Sequence, residues 1–393
     1  MLHIKSHPCI AMLLAFGVIG STAFYEATMT QPRADPASDP MPYAQTGTKP
    51  REKASVYWVG HSLVEGKVQT SSGEIDLMRL VGRFAKEKGR DYKMGDHTLW
   101  GASMSALWRG RPYGYDRDAS EMVPKREAFE KDAGAFDTLV VTEGIPLARS
   151  LDVEYSAYFL RRFACTLLGA TPDARILLYQ TWVHYQGSDP HAKYGPAHLY
   201  DWRKAMTEER KVWEKLADQA SKPPVRAPGG LLSYIGISAS SDGGCDRAFP
   251  VDIVPVGNAF LALDSRLAAP QPGDSFDMVD GVRITTGDLF ANAYVDWPKD
   301  WPLAEGAKPP DLDQKLKALT RRVPSKDLDD IHLGELGIYV AALVHFASIY
   351  REPPFGLSHP EWLTPAAART VECIAWETVT GDPRSGIEGT ADC

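Results

Sequence analysis

The chain has 393 residues, with 43 Lys and Arg against 51 Asp and Glu for a formal charge of −8, a balance that argues against a nucleic-acid partner because phosphate recognition needs clustered basic surplus. A hydrophobic fraction of 44%, a charged fraction of 24% and 10 Trp describe a globular protein able to bury a sizeable core, and exclude wholesale disorder, collagen and coiled coil. Mean hydropathy of −0.27, with one apolar run of note, excludes a multi-span membrane protein.

That run, Ile10 to Gly20, follows the weakly basic lead His3, Lys5 and His7 and precedes Ser21-Thr22-Ala23. The order basic, apolar, small-x-small reads as a signal peptide over 1–23, so the mature chain is expected to be exported, periplasmic or secreted. The alternatives are an uncleaved N-terminal anchor or a buried helix, and no other integral membrane segment is expected. Cys9 precedes the apolar run and is therefore no lipoprotein acceptor. Removal of the segment leaves Cys165, Cys245, Cys373 and Cys393, an even number in a disulfide-permissive compartment. Their pairing is open at this stage, and four unpaired thiols fit equally well. Residues 24–53, with Pro32, Pro36, Pro40, Pro42 and Pro50, lack the apolar periodicity to order themselves and read as a disordered linker.

Ordered structure is expected to begin at Ala54 to Val59, an apolar β-prone run ending in Gly60, followed by a helix over Glu74 to Lys88 with Ile75, Met78, Val81 and Phe84 at helical spacing. The alternation continues: strand Asp137 to Thr142, helix Val153 to Leu168, strand Ala174 to Tyr179, helix Ala197 to Ser221, strand Val251 to Val256, helix Asn258 to Leu267. Strands alternating with helices imply βαβ units and a parallel sheet covered on both faces, one α/β domain over 54–393. Residues 268–310, rich in Pro, Gly, Asp and Trp, read as an insertion with a short hairpin near Asp277. A helix after Lys315, a loop from Pro324 to Asp330, an amphipathic helix over Gly334 to Tyr350 and a last helix over Ala366 to Val379 complete the chain.

The nucleophile elbow G-x-S-x-G, the zinc string H-E-x-x-H, the phosphate loop and C-x-x-C are absent from the sequence. Two strings carry chemistry instead. Gly60-His61-Ser62-Leu63 follows the first expected strand, where open α/β sheets place their sites; a sharp turn at Gly60 would aim the Ser62 hydroxyl and amide into one crevice, giving a nucleophile and an oxyanion donor. Asp329-Asp330-Ile331-His332 brings a carboxylate and an imidazole three positions apart, the spacing for a local orienting contact; Asp329 has that spacing and Asp330 does not. The plain alternative for this string is a helix cap and a surface His. Trp182, His184 and Tyr185, with Trp100, Trp108 and Tyr113, stand where aromatic faces would line a substrate crevice, although core packing explains most Trp. The spacing of His184, His191 and His198 fits no familiar zinc pattern, and His97 beside Asp96 reads as a structural contact. No metal or other cofactor is expected.

Gly-His-Ser-Leu early and Asp-x-x-His late resemble the SGNH, or GDSL-like, serine hydrolase family, with His61 where the family usually has Asp. Ile331 to Tyr339, Pro354-Phe355-Gly356 and Ile374-Ala375-Trp376 are similar to an exported and poorly characterised branch. The resemblance implies a three-layer α/β/α, flavodoxin-like fold with a parallel sheet. It also implies Ser62 as nucleophile, His332 as general base and acid, Asp329 orienting it, and the amides of Ser62 and Gly101 as oxyanion donors. Where the family offers an Asn as a further donor this chain reads Thr142-Glu143-Gly144. Thr142 or Gly144 is expected to donate instead, or Glu143 to do another job such as binding a sugar hydroxyl, or activity to be reduced; Trp182 is a second expected substrate contact. The implied function is an exported serine esterase acting on an ester or acetyl group, with a carbohydrate as the carrier suggested. A catalytically silent binding protein and an O-acetyltransferase of an envelope polysaccharide are the alternatives.

Overall fold

Val56, Trp58 and Val59 have no exposure to solvent, which is what a strand covered on both faces requires. They belong to β1 (Lys53–Gly60), the second strand of a five-stranded, wholly parallel sheet in this computed structural model. The structure describes residues 49–70, 73–111, 119–145, 147–185, 201–229, 239–292, 329–389 and 393. The expected signal segment, the expected linker up to 48, Tyr113, His191, His198, residues 293–310 of the expected insertion and the helix expected after Lys315 lie outside them.

In chain order β1 is followed by α1 (Ser62–Glu65), a β2–β3 hairpin (Lys67–Thr70 and Gly73–Asp76), α2 (Leu77–Glu87), β4 (Asp91–Thr98), α3 (Met104–Arg109) and α4 (Met122–Asp132). Then come β5 (Thr138–Val141), α5 (Leu147–Val153), α6 (Ser156–Ala170), β6 (Arg175–Tyr179), α7 (Trp202–Ser221) and a small β7–β8 pair (Val225–Arg226 and Ser240–Ser241). Last are β9 (Asp252–Val254), α8 (Val256–Ala268), β10 (Phe290–Asn292), β11 (Asp329–Leu333), α9 (Glu335–Tyr350) and α10 (Pro365–Gly381). The sheet order is β4-β1-β5-β6-β9. One core, which includes Val56, Trp58, Phe84 and much of α9, fills one face of the sheet. A second, which includes Tyr57, Val59, Phe163 and Trp213, fills the other. Alternate residues of β1 enter opposite cores, as the two-residue period of a strand dictates, and the result is an α/β fold with helices on both faces.

Several elements differ from the sequence expectations. Ile75 belongs to β3, not to the following helix, which starts at Leu77 behind the Asp76 side chain that caps it. The expected Val153–Leu168 helix begins only at Ser156, after Tyr155 with its φ of 60°, and Val153 is the last residue of the separate α5. Helix α9 is not amphipathic: Leu336 through Tyr350 are all buried, because the helix lies between the sheet and α2, α8 and α10 instead of at the surface. The stretch around Asp329 is a strand, not a loop, antiparallel to β10. Of the four cysteines left open, Cys165 and Cys245 form a disulfide, while Cys373 and Cys393 are thiols. Beside that bond the buried Arg161 donates to the carbonyls of Ala220, Asp242, Cys245 and Arg247 at 2.7–2.9 Å, so no part of its guanidinium charge is left without an acceptor.

Candidate functional site

At the carboxyl end of β1, beside its parallel neighbours β4 and β5, the chain turns at Gly60, which has no side chain. A Cβ there would meet Cγ2 of Val64 at 2.7 Å and Cγ2 of Thr142 at 2.8 Å, so only glycine lets β1 turn into α1 this close to β5. His61 caps α1: its Nδ1 accepts from the Leu63 amide at 3.4 Å and its Nε2–H donates to the Glu143 carbonyl at 3.0 Å. Burial holds this imidazole below the ordinary histidine range, so it is the neutral ring that performs both contacts. His61 thus ties the Ser62 turn to the end of β5. Ser62 is the first residue of α1, where a backbone amide has no carbonyl one turn back to bond.

The Ser62 Oγ–H donates to His332 Nε2 at 2.8 Å, and His332 Nδ1–H donates to both carboxylate oxygens of Asp329 at 3.0 Å. The proton positions follow from this chain of contacts. The His332 amide also donates to Asp329 Oδ1 at 3.0 Å. Burial raises the Asp329 carboxyl, but the bonds from the His332 ring and amide outweigh it and hold the group below the usual aspartate range. Asp329 therefore stays ionised to fix the imidazole tautomer. Register supplies the rest: β11 pairs Leu333 with Phe290 and Asp329 with Asn292, so the expected insertion contributes the strand against which the Asp-His segment is held.

Gly101 follows β4 with a φ of +70°, a conformation that suits glycine. It lines, with Ser62, His332, Arg149 and His184, a cavity of about 250 Å³ at the sheet's carboxyl edge. Trp100, 45% exposed, stacks on the His332 ring with centroids 5.3 Å apart and planes 21° apart. This covers one face of the imidazole and holds the ring in place through an aromatic contact. Trp100→Ala is expected to lower kcat about two- to fivefold in an ester hydrolysis assay, with little change in thermal midpoint.

Two expected substrate contacts are corrected. Trp182 is fully buried and its Nε1–H donates to the Ile331 carbonyl at 2.8 Å; it braces β11 from the core. Glu143 is fully buried too, and its Oε1 accepts from the amides of Gly144 at 2.7 Å and Met104 at 3.2 Å. The same bonds correct the expected donor role of Gly144, whose amide is turned back into Glu143. Thr142 is likewise engaged, donating to the Tyr179 carbonyl at 2.9 Å. Desolvation, with Glu154 adding to it, pushes the Glu143 carboxyl up to about 8. Burial thus favours its uncharged form at neutral pH.

His97 is a structural contact. Its Nε2 lies 3.1 Å from the Leu107 carbonyl, and burial lowers it to about 4, while Asp96 pairs with Lys125. Trp108 is buried, and Tyr185 stacks on Phe290 away from the cavity lining. Sequence reasoning missed Asp330: its buried carboxylate accepts from His184 Nδ1 at 2.7 Å. Strand alternation sends Asp329 and Asp330 to opposite sides, but the stretch reads as a loop in the sequence and nothing local to it points to His184.

No family model and no curated protein matches the chain. Among solved structures it is similar to a DUF4886 family protein from Bacteroides uniformis, at 13% identity and a TM-score of 0.42 over 83% of this chain and 95% of that one. A lipopolysaccharide acetyltransferase periplasmic domain from Salmonella ser. Paratyphi A is matched at 13% identity and a TM-score of 0.27, over 41% of this chain and 64% of that one. An acetyl-xylooligosaccharide esterase from a Geobacillus is matched at 14% identity and a TM-score of 0.24, over 44% and 74%.

Proposed function

We propose that this protein is an exported serine esterase of the SGNH type that removes an acyl group, an acetyl in the simplest case, from a carbohydrate. The observation that carries the reading is the unbroken chain Ser62 Oγ, His332 Nε2, His332 Nδ1, Asp329 carboxylate, with contacts of 2.8 and 3.0 Å at the mouth of a cavity. His332 takes the Ser62 proton as Oγ attacks the ester carbonyl, and Asp329 steadies the imidazolium. The tetrahedral oxyanion is received by the amides of Ser62 and Gly101. Collapse expels the alcohol, which takes its proton from His332 Nε2, and leaves an acyl-Ser62. Water, deprotonated by the same nitrogen, then attacks the acyl carbon; the second tetrahedral intermediate breaks its bond to Ser62 Oγ, which takes that proton back from His332, and the acid departs. The exposed Trp100 beside His332 favours a sugar ring as the alcohol. The Cys165–Cys245 disulfide favours an oxidising compartment, in keeping with the signal-like leader.

The test is a fluorophosphonate probe on the purified mature chain. Attack by an activated serine forms a P–O bond and expels fluoride. The label is expected on the peptide bearing Ser62, and its absence from the His332→Ala chain would follow from loss of the base. A label on another residue, or none, overturns the assignment.

A further inference from the structure

A second imidazole stands in the same cavity, and its carboxylate partner is the neighbour of the first one's. Asp329 holds His332, and Asp330 holds His184 through Nδ1 at 2.7 Å. The segment bearing His184 is laced to β11 by two further bonds, from Trp182 Nε1 to the Ile331 carbonyl at 2.8 Å and from the Tyr185 amide to the Asp330 carbonyl at 3.1 Å. The Asp330 side chain has no exposure, whereas that of His184 keeps 25%, so the part of the pair that meets the cavity is the imidazole. A carboxylate at Nδ1 fixes the ring's tautomer and orientation.

The sheet order says which part of an ester passes this ring. Gly101 follows β4, Ser62 follows β1 and His184 follows β6, in the order β4-β1-β5-β6. The oxyanion is drawn towards Gly101, so His184 lies on the opposite side of Ser62. That side also carries β11, from which His332 must reach the departing oxygen. The alcohol half of the substrate therefore runs along His184.

Resting on the esterase reading, we propose that His184, oriented by Asp330, hydrogen-bonds a hydroxyl on the carbon next to the ester oxygen and so selects esters of vicinal diols, the pattern of a partly acetylated sugar. A hydroxyl suits this position because it donates to the neutral ring at Nε2 and accepts from the protonated one. His184 is here a specificity-determining residue and Asp330 its positioning residue.

The experiment compares two esters that differ by one hydroxyl: the monoacetate of trans-1,2-cyclohexanediol and cyclohexyl acetate. The wild-type chain is expected to prefer the first by about tenfold in kcat/KM, the worth of one well-placed hydrogen bond. His184→Ala is expected to reduce that preference to below about threefold, and His184→Gln to restore part of it, as the loss of a single hydrogen bond requires. A wild type without preference, or an alanine variant that keeps it, overturns the proposal. Failure of the esterase reading itself has a different signature, a wild type that hydrolyses neither ester. Nitrogen-15 histidine-labelled Ser62→Ala protein titrated with the monoacetate then decides: a shift of the His184 ring resonance, identified by its loss in His184→Ala, upholds the contact, and an unmoved resonance overturns it.

Discussion

Ser62→Ala and His332→Ala are each expected to lower kcat on p-nitrophenyl acetate by about 10⁴-fold or more, and the double variant to lose little beyond either single one. The non-additivity is the informative part. Without His332 the Ser62 hydroxyl has no acceptor for its proton, and without Ser62 the imidazole has no nucleophile to activate, so either deletion removes the whole unit. Asp329→Asn keeps the shape but offers His332 Nδ1 an amide where a carboxylate fixed the tautomer, and a comparable fall is expected. None of these should unfold the chain. Ser62 is the first residue of its helix and is half-buried, and His332 keeps 32% side-chain exposure, so stability changes of less than about 1 kcal/mol are expected. Release of p-nitrophenol, followed beside circular dichroism of each variant, checks both halves. Equal rates in parent and variants would sink the triad.

Ser62 and His332 were legible because each sits in a short string whose residue types have few other reasons to be adjacent. Asp329 was legible because its contact with His332 is local. The His184–Asp330 pair was not, since 146 residues separate its members and nothing in either local pattern points to the other. The sheet was read from its buried strands, whose continuous Val, Leu and Ile runs announce burial on both faces. Strand β4, with the sequence Asp-Tyr-Lys-Met-Gly-Asp-His-Thr and an exposed first half, escaped because it is an edge strand and half of its side chains meet water. Helix α9 misled for the opposite reason. Its apolar residues satisfy a one-face pattern, but Ala341, Ala342, His345 and Ser348 on the other positions are buried as well, and small or hydrogen-bonded side chains inside a core read as a polar face. The roles given to Glu143 and Trp182 failed because position at a strand end says which loop a residue is on and not which way its side chain turns.

Glu143→Gln is expected to flatten the pH dependence of stability and to preserve activity in alkali. In the folded chain the Glu143 carboxyl titrates near 8, against 4.5 for an ordinary glutamate, so between those values the native state holds a proton that the unfolded state has released. Stability then falls as pH rises. The contribution of the protonated form is complete below the unfolded value, diminishes by up to about 1.4 kcal/mol per pH unit, and is exhausted once pH passes the folded one. Glutamine keeps an oxygen for the Gly144 and Met104 amides and has no proton to lose, so its denaturant midpoints should change little between pH 5 and 9 where the parent's decline. The catalytic consequence has the same origin. Gly144 lines the cavity beside Gly101 and Ser62, and ionising the carboxyl behind it sets a buried negative charge near a developing oxyanion, in a medium where such charges are poorly screened. The parent's kcat should therefore decline above about pH 8, while that of Glu143→Gln continues on its plateau. Denaturation midpoints and rates measured on both chains across that range decide it. Parallel curves would mean that the carboxyl is already ionised at neutral pH, and the missing oxyanion donor would then be a liability that this site does not relieve.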